Sequence, residues 1–387
     1  MSSKSLNSVN AWFAFLILFS ISACGGSNGN YSSDPNAAVT VPGITTAAEI
    51  SAGGSHSCAR LTDNTISCWG DNQYGQLGDG TNTSSNTPVT VFDITAAAEI
   101  SAGSNHTCAR LPDNTIQCWG LNGDGQLGNG TNANSNYPVA VSGINTAAEI
   151  SGRSQHTCAR LTDNTVKCWG NNLFGQLGDG TETDSNIPVT VSGITGAVEI
   201  TTGRSHNCAR LTDNTIQCWG SNGLGQLGNG TNQRSNIPVT VSGITTAAEI
   251  SAGEQHTCAR LTDNTIECWG NGYSDTPVTV SWITKAAEVS AGCLYTCARF
   301  TDNTVKCWGY HNGVNYPSQI SYRTYSTDSF IPVNISGITT AAEISTGCYQ
   351  TCARLTDNTI SCWGDDILDQ SGDSTNMNSN SWLLYPE

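Results

Sequence analysis

Positive charge is scarce in this 387-residue chain: 15 Lys and Arg stand against 31 Asp and Glu, a net charge of −16. So acidic a chain repels phosphate backbones, and no basic patch interleaved with aromatics relieves the repulsion, which excludes nucleic acid as a partner. Methionine is rare (2 residues) and glycine abundant (41), a balance that suits short strands joined by tight turns rather than helices. Cys-x2-Cys is missing, and with it the paired thiolates of a tetrahedral zinc site. The alternating carboxylates of a calcium loop are missing too. Long apolar runs are absent save one, residues 11–21, which is short for a bilayer span and of the length of a secretory core.

What the chain does have is repetition. The segment His-x-Cys-Ala-Arg-Leu-Thr-Asp-Asn-Thr-Ile-x-Cys-Trp-Gly, or a near copy, ends at Trp69, Trp119, Trp169, Trp219, Trp269, Trp308 and Trp363. The first five tryptophans are 50 residues apart and the next two steps are 39 and 55. A fixed period of this length is the signature of a repeat architecture. Each unit holds four strand-like runs, in the second copy Ala97 to Ser101, His106 to Leu111, Thr115 to Trp119 and Tyr137 to Val141. Pro112-Asp113-Asn114 supplies the turn between the second and third runs, and a glycine-rich loop precedes the fourth, whose proline suits an edge strand. The expected fold is all-β: a seven-bladed β-propeller of four-stranded antiparallel blades over residues 38–387. No fourth strand follows Trp363, whereas residues 38–45 match residues 238–245. The N-terminal strand is therefore expected to complete the last blade and close the ring.

Seventeen cysteines fit this scheme. Fourteen form pairs at a fixed Cys-x9-Cys spacing: Cys58 with Cys68, Cys108 with Cys118, Cys158 with Cys168, Cys208 with Cys218, Cys258 with Cys268, Cys297 with Cys307 and Cys352 with Cys362. An even, regular set of this kind in an exported chain reads as disulfides. With the turn centred on Asp63, Cys58 and Cys68 fall opposite each other, within bonding range. Each such staple contributes roughly 3 kcal/mol by restricting the unfolded chain. Cys293 and Cys348 are left over at matching positions of neighbouring blades, and a bridge between them is expected.

Two resemblances follow from these residues. Ile21-Ser22-Ala23-Cys24-Gly25-Gly26 after the apolar run resembles a bacterial lipoprotein signal. It implies that residues 1–23 are removed, that Cys24 carries a lipid and that residues 24–37 are a flexible tether. It implies an outer-membrane or cell-surface lipoprotein that meets the membrane through its anchor alone. Gly-x-x-His-x-Cys-Ala-Arg-Leu, Trp-Gly-x-Asn and Gly-Gln-Leu-Gly-x-Gly-Thr resemble the regulator of chromosome condensation repeat family of seven-bladed propellers. The likeness spans residues 38 to about 364 and implies the fold far more than the function. Relatives include a nucleotide exchange factor for a small GTPase, a secreted β-lactamase inhibitor and bacterial surface proteins. Gly-Gln-Leu-Gly stands only in the first four blades (Gln76, Gln126, Gln176, Gln226). Blade five drops the loop and blade six replaces it with residues 310–330.

The recurring side chains read as structural. His56, His106, His156, His206 and His256, with Tyr295 and Gln350 in their place in blades six and seven, are expected to bond backbone groups where the second strand begins. Glu49, Glu99, Glu149, Glu199, Glu249, Glu288 and Glu343 are expected to line a channel or hold hydrogen bonds. A Ser-His-Asp set can be assembled from any blade, and such identical recurrence does not mark a catalytic site. Neither metal nor cofactor is expected. Function is expected where the repeat breaks: Tyr295 and the aromatic insertion with Tyr310, Tyr316, Tyr322, Tyr325 and Phe330. The expected function is a monomeric, non-enzymatic scaffold that binds a protein or glycan. A lyase or hydrolase using the central channel, and an exchange-factor-like regulator, are the alternatives.

Overall fold

The computed structural model describes residues 38–311, 314–316 and 332–364, the side chains of 310, 311 and 314–316 excepted. The first strands are β1 (Val39–Thr40), β2 (Ala47–Ala52), β3 (His56–Leu61), β4 (Ile66–Gly70) and β5 (Ser85–Thr90). Strands β2 to β5 form one antiparallel sheet in chain order, and this blade recurs to give seven sheets. The turn between β3 and β4 sets the register. Asp63 accepts hydrogen bonds from the Thr65 amide (3.0 Å) and hydroxyl (2.7 Å), and Asn64 adopts φ +66°. Cys58 then lies directly opposite Cys68, with Cα atoms 4.0 Å apart, and the two are disulfide-bonded.

The other six hairpins carry the same staple at the same register. Cys108 is bonded to Cys118, Cys158 to Cys168, Cys208 to Cys218 and Cys258 to Cys268. In the last two blades Cys297 is bonded to Cys307 and Cys352 to Cys362. Each pair is directly opposed across its hairpin, so the pairing read from the spacing is the pairing of the structure. The leftover cysteines, Cys293 and Cys348, are bonded to each other.

The apolar cores lie between blades rather than within them. Cys58, Ile66, Cys68, Leu77, Val91 and Ile94 of blade one pack with Ala97, Ile100, Ala109 and Trp119 of blade two, and the same cluster recurs around the ring. Six of the repeat tryptophans are fully buried and Trp363 is 2% exposed. Burying one indole contributes about 5 kcal/mol before the entropy of ordering is counted. Gly78 explains one invariant of the loop. At φ +68° a Cβ there would sit 2.6 Å from the Trp119 indole nitrogen, so only glycine lets the indole approach.

The N-terminal strand closes the ring. β1 pairs antiparallel with Ile360–Gly364, matching Val39 to Cys362 and Thr40 to Ser361. Val41 and Ile44 then fill a core with Cys352, Ile360, Cys362 and Trp69.

Three details differ from the sequence expectation. Pro88 sits inside the outer strand Ser85–Thr90, not at its start. The ladder there is interrupted between Cys68 and Gly70, which frees it from donating. Blade five retains a tight turn in which Tyr273 replaces the missing loop: Trp308 Nε1 donates to its hydroxyl at 2.7 Å. The blade-six insertion opens as a hairpin, Val305–His311 against Val314–Tyr316, so Tyr310 and Tyr316 lie on strands rather than in a loop; Val333–Asn334 takes the outer-strand place.

Because Ile44 is 3% exposed in the closing core, Ile44→Ala is expected to cost about 2–5 kcal/mol in urea unfolding, as much as Ile94→Ala at an ordinary blade interface. A loss below about 1 kcal/mol would mean that residues 38–45 do not close the ring.

Candidate binding face

The charged and polar side chains of the repeat are turned onto the ring itself. A register shift after Ala47 brings Glu49 opposite Arg60, whose Nε donates to Glu49 Oε2 at 2.9 Å. The second oxygen, Oε1, accepts the amide of Ile100 in the next blade at 3.2 Å. Each blade repeats the pattern, and Ile50 N to Glu343 Oε1 (3.5 Å) completes the circle. Beside it Ser51 Oγ accepts the amide of Ala102 at 2.9 Å, and Ala52 returns the bond to Ser345. Burial raises all seven carboxyl pKa values, to about 7 for Glu149, Glu249 and Glu343, against the pull of the paired arginines. Both oxygens of these glutamates are engaged.

A second belt runs through the histidines. His56 Nε2 meets Thr107 Oγ1 of the next blade at 2.8 Å. That hydroxyl donates to the Gln76 carbonyl (2.9 Å), which also accepts the Trp119 indole N–H (2.9 Å). With its proton directed at Gln76, Thr107 must accept, so His56 is the neutral tautomer protonated at Nε2. Asn207 repeats the logic: its amide donates to Gln176 O and its carbonyl oxygen faces His156. Burial lowers the five histidine pKa values to about 4 for His56 and His156 and about 3 for His106, His206 and His256. These rings therefore bond the neighbouring blade's side chain rather than the local backbone groups expected from sequence.

Tyr295 belongs to the same belt, which corrects its assignment as a binding residue. It is 2% exposed, and its hydroxyl donates to Gln350 O and meets Thr351 Oγ1, both at 2.8 Å. An aromatic at the histidine position extends the reach across the interface and is buried by it. Gln350 does the equivalent task toward His56 O at 2.9 Å.

The two faces of the ring differ. On one, Thr62 N bonds Thr46 O and Ala97 N bonds Asn64 O, and the turn reads Asp-Asn-Thr in every blade. On the other, Asp71 N bonds Ser55 O, so the inner turns share an end with the loops that follow each tryptophan. Here the repeat breaks. Around the axis one turn position reads Gly54, Ser104, Ser154, Arg204, Glu254, Cys293, Cys348, and the next reads Ser55, Asn105, Gln155, Ser205, Gln255, Leu294, Tyr349. Leu294 (39%) and Tyr349 (38%) are exposed, as are Leu173 (60%), Phe174 (37%) and Leu224 (46%) on the adjoining loops. The inserted hairpin leaves from this end too, since Tyr310 follows Gly309, the partner of Tyr295.

Arg153 is the residue that sequence reasoning missed. It stands where the other blades carry Gly53, Gly103, Gly203, Gly253, Gly292 and Gly347. The innermost strand of blade three runs on to Arg153, which pairs with His156, and Ser154 takes φ +51°, a conformation that costs a non-glycine residue about 1 kcal/mol. Its guanidinium crosses the axis: Nη1 donates to Ala291 O (3.0 Å) and Ala252 O (3.4 Å), and Nη2 lies 3.9 Å from Cys293 Sγ. Burial lowers its pKa, opposed by Glu254. Glu254 in turn sits 3.8 Å from Cys348 Sγ and 3.7 Å from Arg204. Glu254, Cys293 and Cys348 bring ligand-type atoms within 4.8 Å of one another, but the disulfide leaves neither sulfur a thiolate for a cation.

A family profile, the RCC1-like domain, matches residues 22–276, well over half of the sequence. The chain belongs to the RCC1-like domain family. Its seven four-stranded blades agree with solved structures of low sequence identity. Human WBSCR16 superposes with a TM-score of 0.69 at 15% identity, covering 82% of this chain and 86% of that one. Prp20p of Saccharomyces cerevisiae superposes with 0.64 at 19% identity, covering 81% of each. The ectodomain of the Physcomitrella patens receptor kinase CR4 gives 0.54 at 19%, covering 82% and 74%. Comparison with curated protein sequences finds no match. Within this RCC1-like chain the eight disulfides suit an oxidising, extracellular environment. Residues 1–37 with Cys24, and Tyr322, Tyr325 and Phe330, lie outside the described residues.

The buried histidines dictate an acid response. Their folded pKa values lie below the unfolded value of 6.5, so the unfolded chain binds more protons and stability falls as pH drops from 6.5 toward 3. The glutamates, raised above 4.5, act oppositely between 4.5 and 7, so the loss steepens below pH 4.5. Replacing His106 by Gln, the residue of blade seven, is expected to keep the fold and to flatten stability against pH between 6.5 and 3 by up to about 1.4 kcal/mol per unit. Urea midpoints across pH 3–7 measure this; an unchanged slope would show that His106 titrates normally.

Proposed function

We propose that this chain is an exported, lipid-anchored, monomeric and non-enzymatic propeller that binds a protein partner through the face of the inner turns and post-tryptophan loops. One observation carries the reading. Arg153, Arg204 and Glu254, the extra cysteines and the exposed Leu173, Phe174, Leu224, Leu294 and Tyr349 cluster on this face, whereas the turns of the other keep Asp-Asn-Thr in every blade. Exposed apolar and aromatic side chains on a rigid scaffold suit protein recognition. The structural neighbours support a protein rather than a glycan: yeast Prp20p was described with its binding to Gsp1p and histones, and yeast RCC1 (Prp20) was solved bound to Kap60. Cys24 supplies the anchor and holds the propeller at the cell surface.

The alternatives fit less well. A lyase or hydrolase in the channel needs free carboxylates, and each glutamate of the ring holds an arginine and a neighbour's amide. An exchange factor of the cytosol does not suit eight disulfides.

Crosslinking on intact cells followed by membrane solubilisation tests the face. Phe174→Asp combined with Leu224→Asp is expected to weaken capture of the crosslinked protein at least tenfold, while Thr212→Lys on the opposite turns leaves it unchanged. Equal capture by the two variants would move the interface elsewhere, and a captured polysaccharide would replace the protein partner with a glycan.

A further inference from the structure

The disulfide between Cys293 and Cys348 differs in surroundings from the seven hairpin pairs. The hairpin sulfurs lie in the cores between blades, 0–1% exposed, and their polar contacts are to hydroxyls: Ser57 with Cys352, Thr296 with Cys258, Thr351 with Cys297. Cys293 and Cys348 lie at the mouth of the axis, joining the inner turns of two neighbouring blades, and Cys348 is only half-buried beside a cleft lined by Gly53, Gly54, Gly103, Ser104 and Arg153. Charged groups flank both sulfurs. Arg153 Nη2 stands 3.9 Å from Cys293 Sγ, and Glu254 Oε1 stands 3.8 Å from Cys348 Sγ. The arginine is held at this point by the two carbonyls across the axis, so the charge does not swing away.

That asymmetry has a chemical meaning. Disulfide exchange proceeds by thiolate attack on one sulfur and departure of the other, and it runs faster when the departing thiol is the stronger acid. A guanidinium beside sulfur favours the thiolate, and partial exposure beside positive charge is the setting of reactive cysteines. Here Cys348 is the less buried residue and Cys293 the one beside the cation.

We propose that Cys293–Cys348 is a thiol–disulfide exchange site whose co-substrate is an external dithiol. One thiolate of the dithiol attacks Cys348 Sγ. The Cys293–Cys348 bond breaks, and Cys293 leaves as a thiolate facing Arg153. The second thiol of the dithiol then attacks its own sulfur in the mixed disulfide, releasing Cys348, whose sulfur takes up a proton. Two electrons pass from the dithiol to the pair, leaving an oxidised dithiol, the Cys293 thiolate and the Cys348 thiol. In the reverse direction Glu254 accepts the proton of Cys348. The site lies on the face assigned to partner binding but does not depend on that assignment, because its readout is thiol chemistry.

The full chain, titrated with dithiothreitol under native conditions and mapped by differential alkylation and mass spectrometry, tests this. Cys293 and Cys348 are expected to be reduced at least tenfold faster than any of the fourteen hairpin cysteines. Arg153→Gly, the residue of the other six blades, is expected to slow that reduction about tenfold. It should also move the alkylation pH profile of Cys293 toward that of an ordinary thiol, while Arg153→Lys restores both. Thermal melting confirms that the variants are folded. Reduction of the hairpin pairs first or in parallel would overturn the proposal. So would an Arg153→Gly protein that is folded with an unchanged rate and pH profile.

Discussion

Trp119 is buried by a neighbour. The Gln76 carbonyl of the preceding blade accepts its N–H, Gly78 of the same loop lies against its indole, and Leu77 fills the core beside it. Among the described residues no blade supplies this setting for its own tryptophan, so a single repeat does not bury its largest apolar group, and stability comes from the interface. The ring follows from that constraint, since only closure gives every blade a predecessor. β1 matters out of proportion to its two residues because it supplies the last interface with Val41 and Ile44.

The same dependence explains why three different residues serve at one position. His56, Tyr295 and Gln350 have little chemistry in common, yet each reaches a polar group of the next blade. What the interface requires is a polar atom delivered to that place. Neutral imidazole does this by donating from Nε2, which is why burial at low pKa is compatible with the fold. Tyr273 is the same solution for the tryptophan, its hydroxyl standing in for the loop carbonyl that blade five lacks.

Repetition made much of this legible. The Cys-x9-Cys spacing with Asp63 at its centre dictated a hairpin, and the match of residues 38–45 to an outer strand revealed the closure. Repetition also hid what mattered most. A period shows which residues are equivalent but not which blade each one touches, so the bonds from Glu49 to Ile100 and from His56 to Thr107 were invisible, and Tyr295 read as a surface aromatic rather than an interface one. Arg153 was visible in principle. Aligning the five 50-residue repeats without gaps sets an arginine against four glycines at that position, a change of size and charge at a crowded axis.

The two faces differ in what their bonds require of side chains. On the uniform face the turn needs Asp63 to accept from Thr65, Asn64 to take a positive φ, and the Asn64 carbonyl to meet Ala97 of the next blade. Those demands tie residue identity to ring geometry. On the other face the inner turns carry backbone bonds such as Gly54 N to Gly103 O and Asp71 N to Ser55 O, which do not call on a particular side chain. The scaffold therefore ties residue identity less tightly at these positions, and they vary from blade to blade. Freedom alone would scatter changes at random. Instead an arginine that strains its own turn, a glutamate from blade five and two cysteines from blades six and seven meet within hydrogen-bonding or bonding distance at the axis. Four departures from four blades converge on one point, and that convergence is why the proposed exchange site is drawn at the axial mouth rather than in the belts beneath it.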